Sequence, residues 1–184
     1  MAHYLPWLME RFLMLGGDFQ EGFISSLSDV EGELVVNCTG LGARELCDDE
    51  EVVPVRGQII YIEQDPGFGR FDQRPENLIY TIPRRDVTVL GGTAQRGDWH
   101  GEVRESDTVE ILEKCSVLWP ELDRSKIVGK AVGLRPSRSE VRLEVERSDG
   151  RMVIHNYGHG GAGVTLSWGC ADEVVALVSR MNQP

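Results

Sequence analysis

The chain has 184 residues, enough for a sizeable core, and carries 30 acidic against 19 basic side chains for a formal net charge of −11. A surface this negative repels a nucleic-acid backbone and an anionic bilayer, so a small molecule is the expected partner. Cys38, Cys47, Cys115 and Cys170 are scattered with no CxxC pair, which argues against disulfide stapling and structural zinc and fits reduced thiols in a cytoplasmic compartment.

Leu5, Leu8, Phe12 and Leu15 recur at helical spacing and Gly16-Gly17 supplies a stop, so a packing helix is expected over 4–15. Glu10 and Arg11 in its middle argue against a signal peptide or a membrane span. Residues 33–38 are an apolar run ahead of Thr39-Gly-Leu-Gly42, the pattern of a buried strand entering a tight turn. The stretches 55–62, 78–82 and 87–90 are rich in β-branched and aromatic residues and are expected to pair as an antiparallel sheet. Residues 106–118 have helical periodicity, with Ser106 or Asp107 as N-cap and Val109, Leu112 and Cys115 along one face. Two strands are expected at 126–134 and 141–145, a last strand at 152–155 and a final helix over 164–181. One compact unit is the expectation, without repeats or linkers. The final residues are not the SKL-type peroxisomal address.

Gly158-His-Gly160-Gly161-Ala-Gly163 satisfies GxGxxG after a strand and before a helix. Glycines admit close approach of a ligand to the backbone, and the N–H groups of a helix start favour an electron-rich group. The Rossmann fingerprint also needs a further strand ending in an acidic residue, which does not follow here, so the pattern alone divides evenly between a cofactor edge and tight packing. His155 and His159 have the i, i+4 spacing of a helical metal pair, but the intervening Asn-Tyr-Gly disfavours a helix, and no metal is expected. Ser137, Ser139 and Ser167 lack a GxSxG elbow, and no cysteine has a nucleophile motif. Arg135 and Arg138 flank Pro136-Ser137, and a guanidinium held beside proline suits a carboxylate, although either arginine taken alone is more often a surface ion-pair partner.

Taken together, Val36-Asn-Cys-Thr-Gly40, Val55-Arg-Gly-Gln-Ile59, Tyr80-Thr-Ile-Pro83, Leu90-Gly-Gly92 with Gly97-Asp-Trp99, Gly133-Leu-Arg-Pro136 and His155-Asn-Tyr-Gly-His-Gly-Gly161 through Trp168-Gly169 resemble the D-amino acid oxidase family, in the family's order. The resemblance implies an α+β or α/β fold: part of a FAD-binding Rossmann-type region at 1–54 and 131–184, and a mixed-sheet substrate region at 55–130. It also implies that the family's first strand, its own GxGxxG turn and its ribose-binding acid have no counterpart in the chain. FAD is the implied cofactor, a D-amino acid and dioxygen the implied partners, and a homodimer is left open. The flavin takes hydride from Cα, so no catalytic residue is assigned. By resemblance Arg135 holds the substrate carboxylate, Tyr80 adds a hydroxyl bond to it, and the Gly161 carbonyl receives the amine. Gly160, Gly161, Gly163, Val164 and Thr165 follow the flavin's pyrimidine edge, and Thr39, Arg56 and Gln58 lie close to the cofactor. Glu76 stands where many members have a lid tyrosine. Ala94 stands where D-aspartate oxidases have an arginine, with Arg74 or Arg96 as possible substitutes, so neutral D-amino acids are favoured. The alternatives are a D-aspartate oxidase, a non-catalytic relative, and an oxidase of glycine or another secondary amine.

Overall fold

The computed structural model describes residues 3–72, 78–148 and 150–181. The chain divides into two compact units, Met1–Glu31 and Gly32–Pro184, where one was expected. In the first, helix α1 spans Tyr4–Met14, and Gly16 at φ +87° ends it as the double glycine predicts. No α1 residue is buried within the described residues.

The second unit is built on one mixed sheet. Its elements are β1 Leu34–Asn37, α2 Ala43–Leu46, β2 Val53–Ile62, β3 Arg70–Asp72, β4 Ile79–Pro83, β5 Thr88–Gly91, β6 Gln95–Arg96, α3 Glu105–Leu118, β7 Ile127–Ser148, β8 Arg151–His159 and α4 Gly163–Met181. Among the described residues the strand order is β1-β8-β7-β2-β5-β4-β3, with β6 paired to the start of β2. β1 and β8 are parallel, while β2 pairs antiparallel with β5, β6 and β7. The boundaries expected at 54/55 and 130/131 fall inside β2 and β7, so the sheet runs through both.

Alternation along β2 gives the sheet two unlike faces. Arg56, Gln58, Ile60 and Ile62 are buried on the α3 side, where Ile60, Ile62 and Leu90 pack with Ile111, Leu112 and Cys115. Val55, Gly57, Ile59 and Tyr61 alternate with them and face the other way. The α3 stripe differs from expectation: Val109 is 45% exposed, and Thr108, Ile111, Leu112 and Cys115 make the contact. The stretch expected as two strands is one, β7. Pro136 does not break it because it pairs with Pro54, whose carbonyl accepts from Gly97 N on the far side; neither proline N is needed between the two strands.

Gly160–Met181 is long and apolar enough, with a mean hydropathy of 1.2, to cross a bilayer by length and composition, although none of it is buried and one such helix does not define a span. The sequence reading had no such segment.

Candidate substrate and cofactor site

Cross-strand partners in an antiparallel ladder point to the same face. Val55 pairs with both Arg96 and Arg135, Gly57 with Gly133, Ile59 with Gly91, and Tyr80 with both Gly91 and Phe71. The face turned away from α3 therefore carries Arg135, Tyr80 and Phe71 over a floor of Gly57, Gly91 and Gly133. A Cβ on Gly57 would collide with the Arg135 guanidinium, and one on Gly91 with the Tyr80 ring and hydroxyl. A Cβ on Gly133 would meet nothing, so the space above it is open.

Three residues of β7 carry the site to two glycine turns. A Cβ on Gly40, which has φ +60°, would lie 3.6 Å from Pro136 Cγ. Gly161 stands in the same way 3.4 Å from Arg135 Cδ, and Gly160 3.8 Å from Ser137 Oγ. The turn Gly160–Ala162 opens directly into α4. Arg135, Gly160 and Gly161 are thus gathered, with Thr39 beside Gly40 at the second turn and Gly163 opening the helix. Gly161, Val164 and Thr165 are exposed at the helix start.

Arg135 Nη1 donates to the carbonyls of Thr93 at 3.3 Å and Val55 at 3.4 Å, and no carboxylate pairs with it among the described residues. Burial pushes the Tyr80 phenol above its ordinary value, while the Arg135 charge pulls it down, which places the two groups within electrostatic reach.

Arg56 and Gln58 require a correction, because they lie on the opposite face. All five Arg56 N–H groups are taken: Nε by His100 O at 2.8 Å, Nη1 by Gln95 Oε1 at 2.7 Å and Asp107 Oδ2 at 2.5 Å, Nη2 by Gln58 Oε1 at 3.1 Å and Glu102 O at 2.6 Å. Gln58 is equally committed, its amide donating to Arg104 O and Thr108 Oγ1 and accepting from Arg104 N. With no donor left for a ligand, this pair fastens α3 to the sheet. Asp107 is part of the same network and does not cap α3, whose N-cap is Arg104.

Thr39 is held from behind. Asn37 Oδ1 accepts from Thr39 N at 3.1 Å and Thr39 Oγ1 at 2.7 Å. Since a backbone N–H only donates, the Asn37 amide must turn its Nδ2 toward His155 Nδ1, 3.2 Å away, so Nδ1 accepts and the imidazole proton sits on Nε2, facing Glu146 Oε2 at 3.2 Å. Burial lowers the His155 pKa, helped by the Arg142 charge and opposed by Glu146. In the sequence His155 stands out as the start of the His-Asn-Tyr-Gly-His-Gly-Gly motif and as a rejected metal candidate; the Asn37–His155 register in the parallel pair is what gives it a role. His159 lies further along the same strand with Nε2 3.3 Å from Cys170 Sγ. No group of three or more His, Cys, Asp or Glu suited to a metal occurs among the described residues. Glu76 and Arg74 lie outside the described residues.

The open space above Gly133, and a glycine turn feeding a helix beside Arg135, leave room that Cβ atoms would narrow, and the helix start suits the polar edge of a flat heterocycle.

The same architecture occurs in solved oxidases. Glycine oxidase from Bacillus cereus matches with a TM-score of 0.70 at 21% identity over 82% of this chain and 44% of that one, and iminodiacetate oxidase from Chelativorans sp. with 0.65 at 22% over 84% and 44%. These fix the class of fold. The profile of the FAD dependent oxidoreductase family matches residues 1–177, and the chain belongs to that family. It is 46% identical to a D-amino-acid oxidase of Rubrobacter xylanophilus over 96% of its length, 43% identical to one of Streptomyces coelicolor over 97%, and 40% identical to human D-aspartate oxidase over 96%. The chain spans about half of these relatives, 53–57% of their length, and corresponds to their C-terminal part.

Proposed function

We propose that this chain supplies the substrate-holding face and the flavin-edge turn of an FAD-dependent oxidase that converts D-amino acids with neutral side chains to 2-oxo acids, ammonia and hydrogen peroxide. The observation that carries this reading is the Arg135 guanidinium, partly buried over a glycine floor and without a carboxylate partner among the described residues of a chain with net charge −11. A rigid fork without an acid of its own is preorganised for the carboxylate of a ligand.

The Arg135 fork takes the α-carboxylate, the Tyr80 hydroxyl adds a further bond, and the Gly161 carbonyl, beside Arg135, receives the amine. Three anchors fix which face of Cα is presented. Gly160, Gly161, Gly163, Val164 and Thr165, with the Thr39 turn close by, would hold the pyrimidine edge of FAD, which when bound would supply the hydride acceptor and the route of the electrons to dioxygen. The neutral substrate amine removes the need for a side-chain base. Ala94 offers a methyl group where a side-chain carboxylate would need a cation, and Arg96 Nη1 rests on Ser137 Oγ at 3.3 Å. The acidic-substrate alternative rests on Arg96 as well, because its pairing with Val55 places it on the Arg135 face.

The test is Arg135→Leu in a chimera that adds the part of the Rubrobacter relative which this chain does not span. The variant should stay yellow with bound flavin while kcat/KM for D-alanine falls by about a hundredfold or more, the roughly 3 kcal/mol lost with two hydrogen bonds to a charged group. Unchanged kinetics would remove Arg135 from the site.

A further inference from the structure

Among the described residues Arg135 is held through one nitrogen. Its Nη1 donates to the carbonyls of Thr93 at 3.3 Å and Val55 at 3.4 Å, while Nη2 and Nε meet no acceptor there. The Val55 carbonyl is fixed because Val55 is a rung of β2 between β6 and β7. Thr93 belongs to no strand and lies in the link 92–94 between β5 and β6. Its own side chain fixes it. β2 pairs with β5 from Ile59 onward and with β6 up to Arg56, so this edge of β2 has a gap at Gly57 and Gln58. Thr93 Oγ1 fills the gap, accepting from Gln58 N at 2.9 Å, and the residue is only 6% exposed. A side-chain hydroxyl thus stands in for a strand carbonyl, and the main chain of the same residue turns its C=O onto the guanidinium. The fork lies over Gly57, where a Cβ would strike Nη1, Nη2 and Cζ alike. A guanidinium already held in place loses less freedom when a carboxylate arrives.

We propose that Thr93 is a positioning residue for Arg135: the bond from Gln58 N to its Oγ1 sets the Thr93 carbonyl, which together with that of Val55 holds the guanidinium ready for the carboxylate of the substrate. This rests on the assignment of the substrate carboxylate to Arg135 in the function proposed above, and it gives the Gln58 main chain a part on the site face although its side chain serves the α3 face.

The test is NMR of the 184-residue chain itself with isotope-labelled arginine. In the free wild-type protein Nη1 and Nη2 of Arg135 should give separate signals, because the two carbonyls stop rotation about the Cζ–Nη1 bond; a single averaged signal would overturn the proposal whatever the variants do. In titrations D-alanine should move the Arg135 signals, and D-alaninamide, which has no carboxylate, should not. Thr93→Val keeps the shape of the side chain and removes its acceptor. It should merge the Nη signals and weaken D-alanine binding about three- to tenfold, the scale of ordering one long side chain, whereas Thr93→Ser should match wild type. On an Arg135→Lys background Thr93→Val should cost D-alanine no further affinity. An affinity for D-alanine that Thr93→Val leaves unchanged, or the same loss on the Arg135→Lys background, would show that Thr93 serves the fold alone, and either overturns the proposal. If D-alanine moves none of the Arg135 signals, or D-alaninamide moves them equally, the carboxylate assignment falls and the positioning role with it. If all these results hold but the chimera yields no peroxide, the oxidase reading alone falls and Thr93 keeps its role.

Discussion

His155 is held in a setting that disfavours its protonation. Its Nδ1 accepts from Asn37, so a second proton there would face an N–H donor and loosen the amide that holds Thr39. Because the folded pKa lies below the ordinary 6.5, stability is at its full value above about pH 6.5 and is lost as the pH falls from there through the folded value. Thermal melts between about pH 7.5 and 5.5 should therefore show a steeper loss for wild type than for His155→Gln. Parallel curves for the two proteins would mean that His155 titrates freely. In the sequence only its identity was legible. Its tautomer depends on Thr39 and Glu146, which lie 116 positions upstream and nine positions upstream along the chain.

At the scale of elements, periodicity served well wherever one face is apolar. β2, β4 and β5 fall close to their expected ranges because alternation registers burial directly, and α4 falls close to its range although none of it is buried, whereas β8 runs on to His159, four residues past its expected end, through residues that pair with β7. It failed where a distant partner decides. Asp107 reads locally as a helix cap, yet the buried Arg56 claims its carboxylate, a contact 51 residues apart that no window contains. β3, with Phe71, is three residues long and too short to show a period. The Arg56–Asp107 pair also yields a prediction. Asp107→Ala leaves a guanidinium that is 0% exposed without its counter-charge and should cost about 3–5 kcal/mol. Urea unfolding measures this, and a loss near 0.5 kcal/mol or less, the size typical of a surface pair, would contradict the network described here.

For the molecule as a whole, the motif order pointed to the family before any contact was known, whereas the grouping of the site residues was only partly legible. Tyr80, Arg135, Gly160 and Gly161 come together, but Arg56 and Gln58, from the same matching segment, point through the sheet to α3. A motif gives the residue and not its face, and the face is set by register. The chain has the glycine turn before α4 but spans only 53–57% of its relatives. Isothermal titration of the 184-residue chain should accordingly show no FAD affinity tighter than about 1 μM, since a pyrophosphate-cradling turn contributes much of a dinucleotide's grip. Submicromolar binding would mean that the turn before α4 suffices.

The central claim, that this face presents a D-amino acid to a flavin, is tested most directly by hydrogen peroxide formation from D-leucine and L-leucine by the FAD-loaded chimera with the Rubrobacter segment. Carboxylate, hydroxyl and amine anchors fixed on one face should oxidise the D-form at least about a hundredfold faster in kcat/KM. Equal rates for the two enantiomers, or bound flavin with no peroxide from either, would contradict it.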